Sequence, residues 1–218
     1  MNDTPAALPE YFAAKLKEHG PTARGVDWGS EERQSICFRQ LFRILQHPLG
    51  KPSREVPSFL DYGCGYGALA GWMRDNAIAS SRYQGFDFTP GMIDHARELF
   101  GSIDNATFTD SEAEVQPADF VLGSGLLALK LGRSVEEWEP YVFELLQKLW
   151  SLSRRGLAFN SLTSYSDADR MRPDLYYPDP MRLFDFCKRH LSRNVSVLHD
   201  YGLYEFTILV RRDEEVSS

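Results

Sequence analysis

From residue 56 onward the chain alternates between two hydrophobic rhythms: short unbroken apolar runs, and longer stretches with apolar residues three and four apart. A run ending in Asp61 predicts a strand over 57–61, followed by a helix from about 68. A second strand covers 83–87. Thr89-Pro90 then makes a cap and first-turn pair for a helix carrying Met92, Ile93, Ala96, Leu99 and Phe100. A third strand falls at 106–109. The fourth, at 119–123, is apolar without alternation, as a strand covered on both faces is. Ser134 and Glu137 have the spacing of a capping box, and Trp138, Tyr141, Val142, Leu145, Leu146 and Leu149 form one face of the helix behind it. A fifth strand covers 156–160. Asp179-Pro180 opens a helix predicted to turn Met181, Phe184, Cys187 and Leu191 inward. Two last strands, 194–199 and 204–211, are joined by a tight turn around Tyr201-Gly202.

Before residue 56 the rhythm is helical only. Tyr11, Phe12 and Leu16 make a short amphipathic face that His19-Gly20-Pro21 ends, and residues 25–29 read as a loop. Ser30 can cap a helix whose acidic start, Glu31-Glu32, suits the helix dipole. Cys37, Leu41, Ile44 and Leu45 give that helix a buried stripe, and residues 47–50 (His-Pro-Leu-Gly) stop it. The expected organisation is a helical cap over 1–55 and one α/β domain over 56–218. Repeated βα units favour a parallel sheet with helices on both faces.

Composition narrows the class. At 218 residues the chain suits one packed α/β domain, and its 43% hydrophobic and 25% charged content is ordinary for a globular protein. No apolar run approaches the roughly 20 residues of a membrane helix. The first ten residues lack the basic n-region and apolar core of a secretory signal. Cys37, Cys64 and Cys187 form neither a disulfide framework nor a zinc pattern, and no metal-ligand cluster stands out. A reducing cytoplasm is the expected location. A net charge of −7 without a long basic run disfavours a nucleic-acid partner.

The candidate chemistry begins where the first strand ends, in Asp61-Tyr62-Gly63-Cys64-Gly65-Tyr66-Gly67. A buried strand that turns abruptly into a helix needs residues without a Cβ, both for the turn and for close approach of a ligand. The spacing D-x-G-x-G-x-G departs from the dinucleotide fingerprint G-x-G-x-x-G. It resembles the first motif of the class I S-adenosylmethionine-dependent methyltransferases, and the resemblance extends over residues 56–211. It implies S-adenosyl-L-methionine as cofactor and S-adenosylhomocysteine as product. It also implies a Rossmann-like, doubly wound, mainly parallel seven-stranded sheet with an antiparallel last strand inserted between strands 5 and 6, plus an N-terminal helical lid.

The resemblance assigns residues at the carboxyl ends of the strands, where open α/β sheets bind ligands. Asp61, Gly63, Cys64, Gly65 and Gly67 would wrap the methionine part. Asp87, closing strand 2, would bridge the ribose hydroxyls, or else serve as a helix-capping aspartate. Phe88 and Met92 would flank the adenine, or simply belong to the core. Asp110 and Ser111 would read the adenine amino group, or form a surface turn. Ser124 lies under the expected transfer point. There the Gly123-Ser124-Gly125-Leu126-Leu127 stretch replaces the Asp/Asn-Pro-Pro-aromatic signature of adenine and amino-group methyltransferases.

Acceptor contacts are sought nearby. Asn160 ends strand 5, and the tyrosine-rich 161–180 segment, with Tyr176, is either an acceptor wall or a solvated loop. In the lid, Trp28, Gln34 and Arg39 are the expected contacts, Arg39 serving the cofactor carboxylate or a surface salt bridge. His199, at the end of strand 6 beside Asp200, is the candidate general base, with a purely structural histidine as the alternative. The expected reaction is methyl transfer to an oxygen or nitrogen of a small molecule. The rivals are a nicotinamide-dependent oxidoreductase and a non-catalytic S-adenosylmethionine-binding partner protein.

Overall fold

A computed structural model describes residues 7–46 and 55–213. Seven strands form one sheet: β1 (Ser58–Tyr62), β2 (Arg82–Phe86), β3 (Ala106–Thr109), β4 (Ala118–Gly123), β5 (Ser153–Leu162), β6 (Asn194–Leu198) and β7 (Glu205–Arg211). Their order is β3-β2-β1-β4-β5-β7-β6, with β7 antiparallel to both neighbours and β1 to β5 parallel. Strand order reverses between β1 and β4, so the switch-point crevice opens above their carboxyl ends. Every residue of β1 is buried, as befits a strand covered on both faces.

Helices α3 (Ala68–Asp75), α4 (Met92–Phe100), α5 (Val135–Leu152) and α6 (Pro180–His190) flank the sheet. The Ser134–Glu137 capping box opens α5, and Asp179 caps α6 by accepting the Met181 N–H at 2.8 Å. Two helices precede the sheet, α1 (Ala7–His19) and α2 (Glu31–Leu41), the latter capped by Ser30. They are not a detached cap. Leu8 of α1 belongs to the core beneath α5, while Phe38 and Leu41 of α2 belong to the core on the opposite face. At the end of the α2 segment the Arg211 guanidinium donates to the carbonyls of Arg43, Ile44 and Gln46.

Several boundaries differ from the pattern-based reading. Thr89-Pro90 does not start α4; Asp87 Oδ1 accepts the Thr89 N–H at 2.8 Å, and the helix begins at Met92 after Gly91 at φ +83°. Met181 sits on the exposed side of α6's first turn, and Leu183 and Cys187, one turn apart, define the inward face instead. β5 is longer than expected because β7 pairs with it from Gly156 to Leu162. Residues 25–29 are not all loop: Ala23–Val26 form a 3₁₀ turn capped by Thr22. The proposed stop at 47–50 lies outside the described residues.

Candidate active site

The loop after β1 is fixed from below and left open above. The N–H groups of Gly63 and Cys64 both donate to the Phe86 carbonyl, at 2.8 and 2.9 Å, which ties the loop to β2. Gly63, Gly65 and Gly67 have φ of +78°, +54° and +85°, a region that side chains with a Cβ avoid. At Gly65 a Cβ would also lie 2.8 Å from Val26 Cγ1, so the overlying segment rests directly on the bare backbone. Gly67 caps α3, and a Cβ there would press on Ala96, Phe100 and Phe108; its bareness serves helix packing.

Two carboxylates face this loop. Asp61 is 2% exposed, and its Oδ2 accepts the Tyr83 hydroxyl at 2.6 Å. Burial pushes its carboxyl up to about 7; the Tyr83 hydroxyl works against the rise and the Asp87 charge adds to it. Asp87 is 8% exposed and accepts the Gly65 N–H at Oδ2 (2.9 Å) and the Thr89 N–H at Oδ1. Burial raises its pKa as well, with those N–H donors opposing. Each carboxylate oxygen has more than one acceptor site, so both groups retain capacity for a ligand. Burial keeps the neighbouring Cys64 thiol protonated, its pKa raised well above the ordinary value.

These groups line a cleft with about 840 Å³ of empty space, its mouth included. The floor is the glycine loop with Asp61, Asp87 and Ser124-Gly125. Leu8 and Phe12 of α1, Val26 and Trp28 of the 3₁₀ segment, and Gln34 and Phe38 of α2 form the roof. Phe88, Leu126, Leu129 and Tyr141 close the side.

Of the residues singled out from the sequence, Asp61, Gly63, Cys64, Gly65, Asp87, Phe88, Met92, Ser124, Trp28 and Gln34 line this cleft. Others do not. Asp110 is exposed, and Ser111 is half-buried with its N–H on Thr109 Oγ1; neither lines the cleft. Asn160 is buried just beneath, accepting the Gly125 N–H at 2.7 Å and donating to Ser124 Oγ at 3.3 Å. It shapes the β4 turn and has no face on the cleft. Arg39 is exposed on the outer side of α2.

Tyr176 is corrected most sharply: it is fully buried and donates to Glu139 at 3.0 Å, beside the Arg182 guanidinium. His199 is exposed beyond the edge strand β6, three strands from β4, with its ring against Tyr165 and Phe206. It is therefore remote from the cleft and holds no base position there. Tyr83 was missed. Its signal was strand alternation: Asp61 pairs with Gly85, and Tyr83 two residues earlier shares that face. The roof contacts Leu8 and Phe12 and the side wall Leu126, Leu129 and Tyr141 also went unassigned, because apolar spacing alone does not separate cleft from core.

The fold and cleft can be set against known proteins. The family described as "Methyltransferase domain" matches residues 59–156. A protein of Mycobacterium tuberculosis (strain H37Rv) named as a methyltransferase is 46% identical over 155 residues, 71% of this chain and 93% of its own length. The chain belongs to the class I S-adenosylmethionine-dependent methyltransferases. Solved structures agree on the fold. Magnesium protoporphyrin IX methyltransferase from Synechocystis PCC 6803, with bound S-adenosylhomocysteine, superposes with a TM-score of 0.64 at 15% identity, covering 94% of this chain and 98% of that one. An N-methyltransferase from Bradyrhizobium japonicum WM9 gives 0.57 at 13% identity, covering 84% and 97%.

The cofactor of this methyltransferase is thus S-adenosylmethionine, and the cleft suits it. Asp61 offers a buried acceptor for the amino group, Asp87 a carboxylate for the ribose diol, and Phe88 and Met92 apolar faces for adenine. The Cβ-free loop lets the ligand approach the backbone. No helix of the described residues is long and apolar enough to cross a membrane.

Proposed function

We propose that this methyltransferase transfers a methyl group to an oxygen or nitrogen of a small, largely apolar acceptor. The observation that carries this reading is the roof. Leu8, Phe12, Phe88, Leu126, Leu129 and Tyr141 bound an apolar chamber inside the cleft, covered by α1 rather than open to a flat surface. An enclosed apolar chamber favours a compact ligand buried on most sides over a macromolecular chain.

Bound S-adenosylmethionine supplies an already activated sulfonium methyl, so the protein's task is alignment and exclusion of water. Asp61 and Asp87 hold the two ends of the cofactor, Asn160 fixes the Ser124-Gly125 turn, and the roof keeps bulk water out. The described cleft residues include no histidine, lysine or arginine. The acceptor therefore presents an atom whose lone pair is free near neutral pH.

Incubating the protein with radiolabelled S-adenosylmethionine and a cell extract, then separating products by size, tests this. Label in the low-molecular-weight organic fraction is the expected result. Label confined to protein or RNA would contradict the reading.

A further inference from the structure

The polar groups of the cleft are unevenly matched. Both acids already hold donors: Asp61 the Tyr83 hydroxyl, and Asp87 the N–H groups of Gly65 and Thr89. Three uncharged donors have no hydrogen-bond partner among the described residues: the Gln34 side-chain amide, the Trp28 Nε1–H and the Tyr66 hydroxyl. All three line the cleft, and Gln34 and Tyr66 are only 6% and 7% exposed. A buried donor left unpaired costs about 1–3 kcal/mol, so three in one cleft point to an acceptor-rich group on the ligand.

Their placement selects which part of the ligand. Gln34 and Phe38, one turn apart, form the face of α2 that roofs the cleft. Trp28 packs over the Ser124-Gly125 turn, its Nε1 3.2 Å from where a Gly125 Cβ would stand. Tyr66 lies between the second and third glycines of the loop. The donors therefore surround the glycine-loop end of the cleft, where Asp61 offers its carboxylate to an amine. The anionic group that accompanies an amine in this cofactor is its own carboxylate, and the described cleft provides no cation for it.

We infer that Gln34 is the specificity residue for the cofactor's carboxylate, which this protein binds with neutral donors, Trp28 and Tyr66 completing the set. The amino-acid end is then read in two halves: its ammonium by Asp61 of the sheet and its carboxylate by the lid. Only a ligand carrying both charges bridges sheet and roof.

The test compares S-adenosylhomocysteine with its decarboxylated analogue, which keeps the amine and lacks only the carboxylate, by calorimetric titration of the wild-type, Gln34→Leu and Gln34→Glu proteins. Gln34→Leu is expected to weaken S-adenosylhomocysteine binding about tenfold or more, the effect of one hydrogen bond to a charged group, while leaving the analogue unchanged. Gln34→Glu should weaken S-adenosylhomocysteine further, by like-charge repulsion, and spare the analogue or tighten it. Equal losses for both ligands would mean that Gln34 only packs the roof. Unchanged affinity for both in a folded variant would remove it from the cofactor site. Either result overturns the inference.

Discussion

At the residue scale the site turns on two buried carboxylates with different attachments. Asp87 is clamped by two backbone N–H groups and so joins β2 to the glycine loop, whereas Asp61 has one side-chain donor and a titration near neutrality. In the folded, unliganded protein Asp61 holds its proton more tightly than the unfolded chain does. Its contribution to stability is full below the ordinary carboxyl pKa of about 3.9 and is lost as pH rises through about 7. Cofactor binding runs the other way, because an ammonium beside Asp61 favours the ionised form. Affinity for S-adenosylhomocysteine should therefore climb between about pH 6 and 8 and then level off. Calorimetry across that range checks this, and Asp61→Asn should give weaker binding with a flat profile. A wild-type affinity that stays constant or falls over the range would contradict the pairing.

At the scale of elements the roof is held by a polar clasp rather than by apolar packing alone. The Arg172 guanidinium donates to Asp27 at 3.0 and 3.2 Å, to Asp174 at 2.6 Å and to the Tyr11 hydroxyl at 3.1 Å; Tyr11 in turn donates to Asp27 at 2.8 Å. The segment after β5 is thereby tied to α1 and to the turn carrying Trp28. The Lys130 and Leu131 N–H groups, both on the Asp174 carbonyl, bring in the β4 loop. Arg172 is 43% exposed, so the clasp is worth about 1 kcal/mol or less and is screened by salt. Arg172→Met should speed S-adenosylhomocysteine release a few-fold at low ionic strength, measured by stopped-flow, with the difference shrinking in high salt. Equal release rates at low salt would show that the clasp does not hold the roof. None of this was legible beforehand, since Arg172, Asp27 and Tyr11 are distant in sequence and each alone reads as a solvated side chain. The elements themselves were legible because their signals are local: the capping box at Ser134, Asp179-Pro180, and apolar runs bounded by Asp61 and Asp87.

At the scale of the whole molecule, strand order places the cleft at the reversal between β1 and β4, and the two preceding helices roof it while sharing the sheet's two cores. The cofactor half of the site could be read from sequence because one motif and one strand end specify it. The acceptor half could not, because it is assembled from α1, the β4 loop and α5, which no spacing connects. Tyr176 shows the limit: a tyrosine in a polar, proline-rich stretch suggested substrate contact, yet its hydroxyl satisfies the buried Glu139. That contrast gives the most direct test of the central claim, that the cleft over the glycine loop holds the cofactor. S-Adenosylhomocysteine is titrated calorimetrically into wild type, Asp87→Ala and Tyr176→Phe. Asp87→Ala should lose about 1.5–3 kcal/mol of binding, while Tyr176→Phe binds as wild type and melts lower. Unchanged affinity in a folded Asp87→Ala protein would contradict the account.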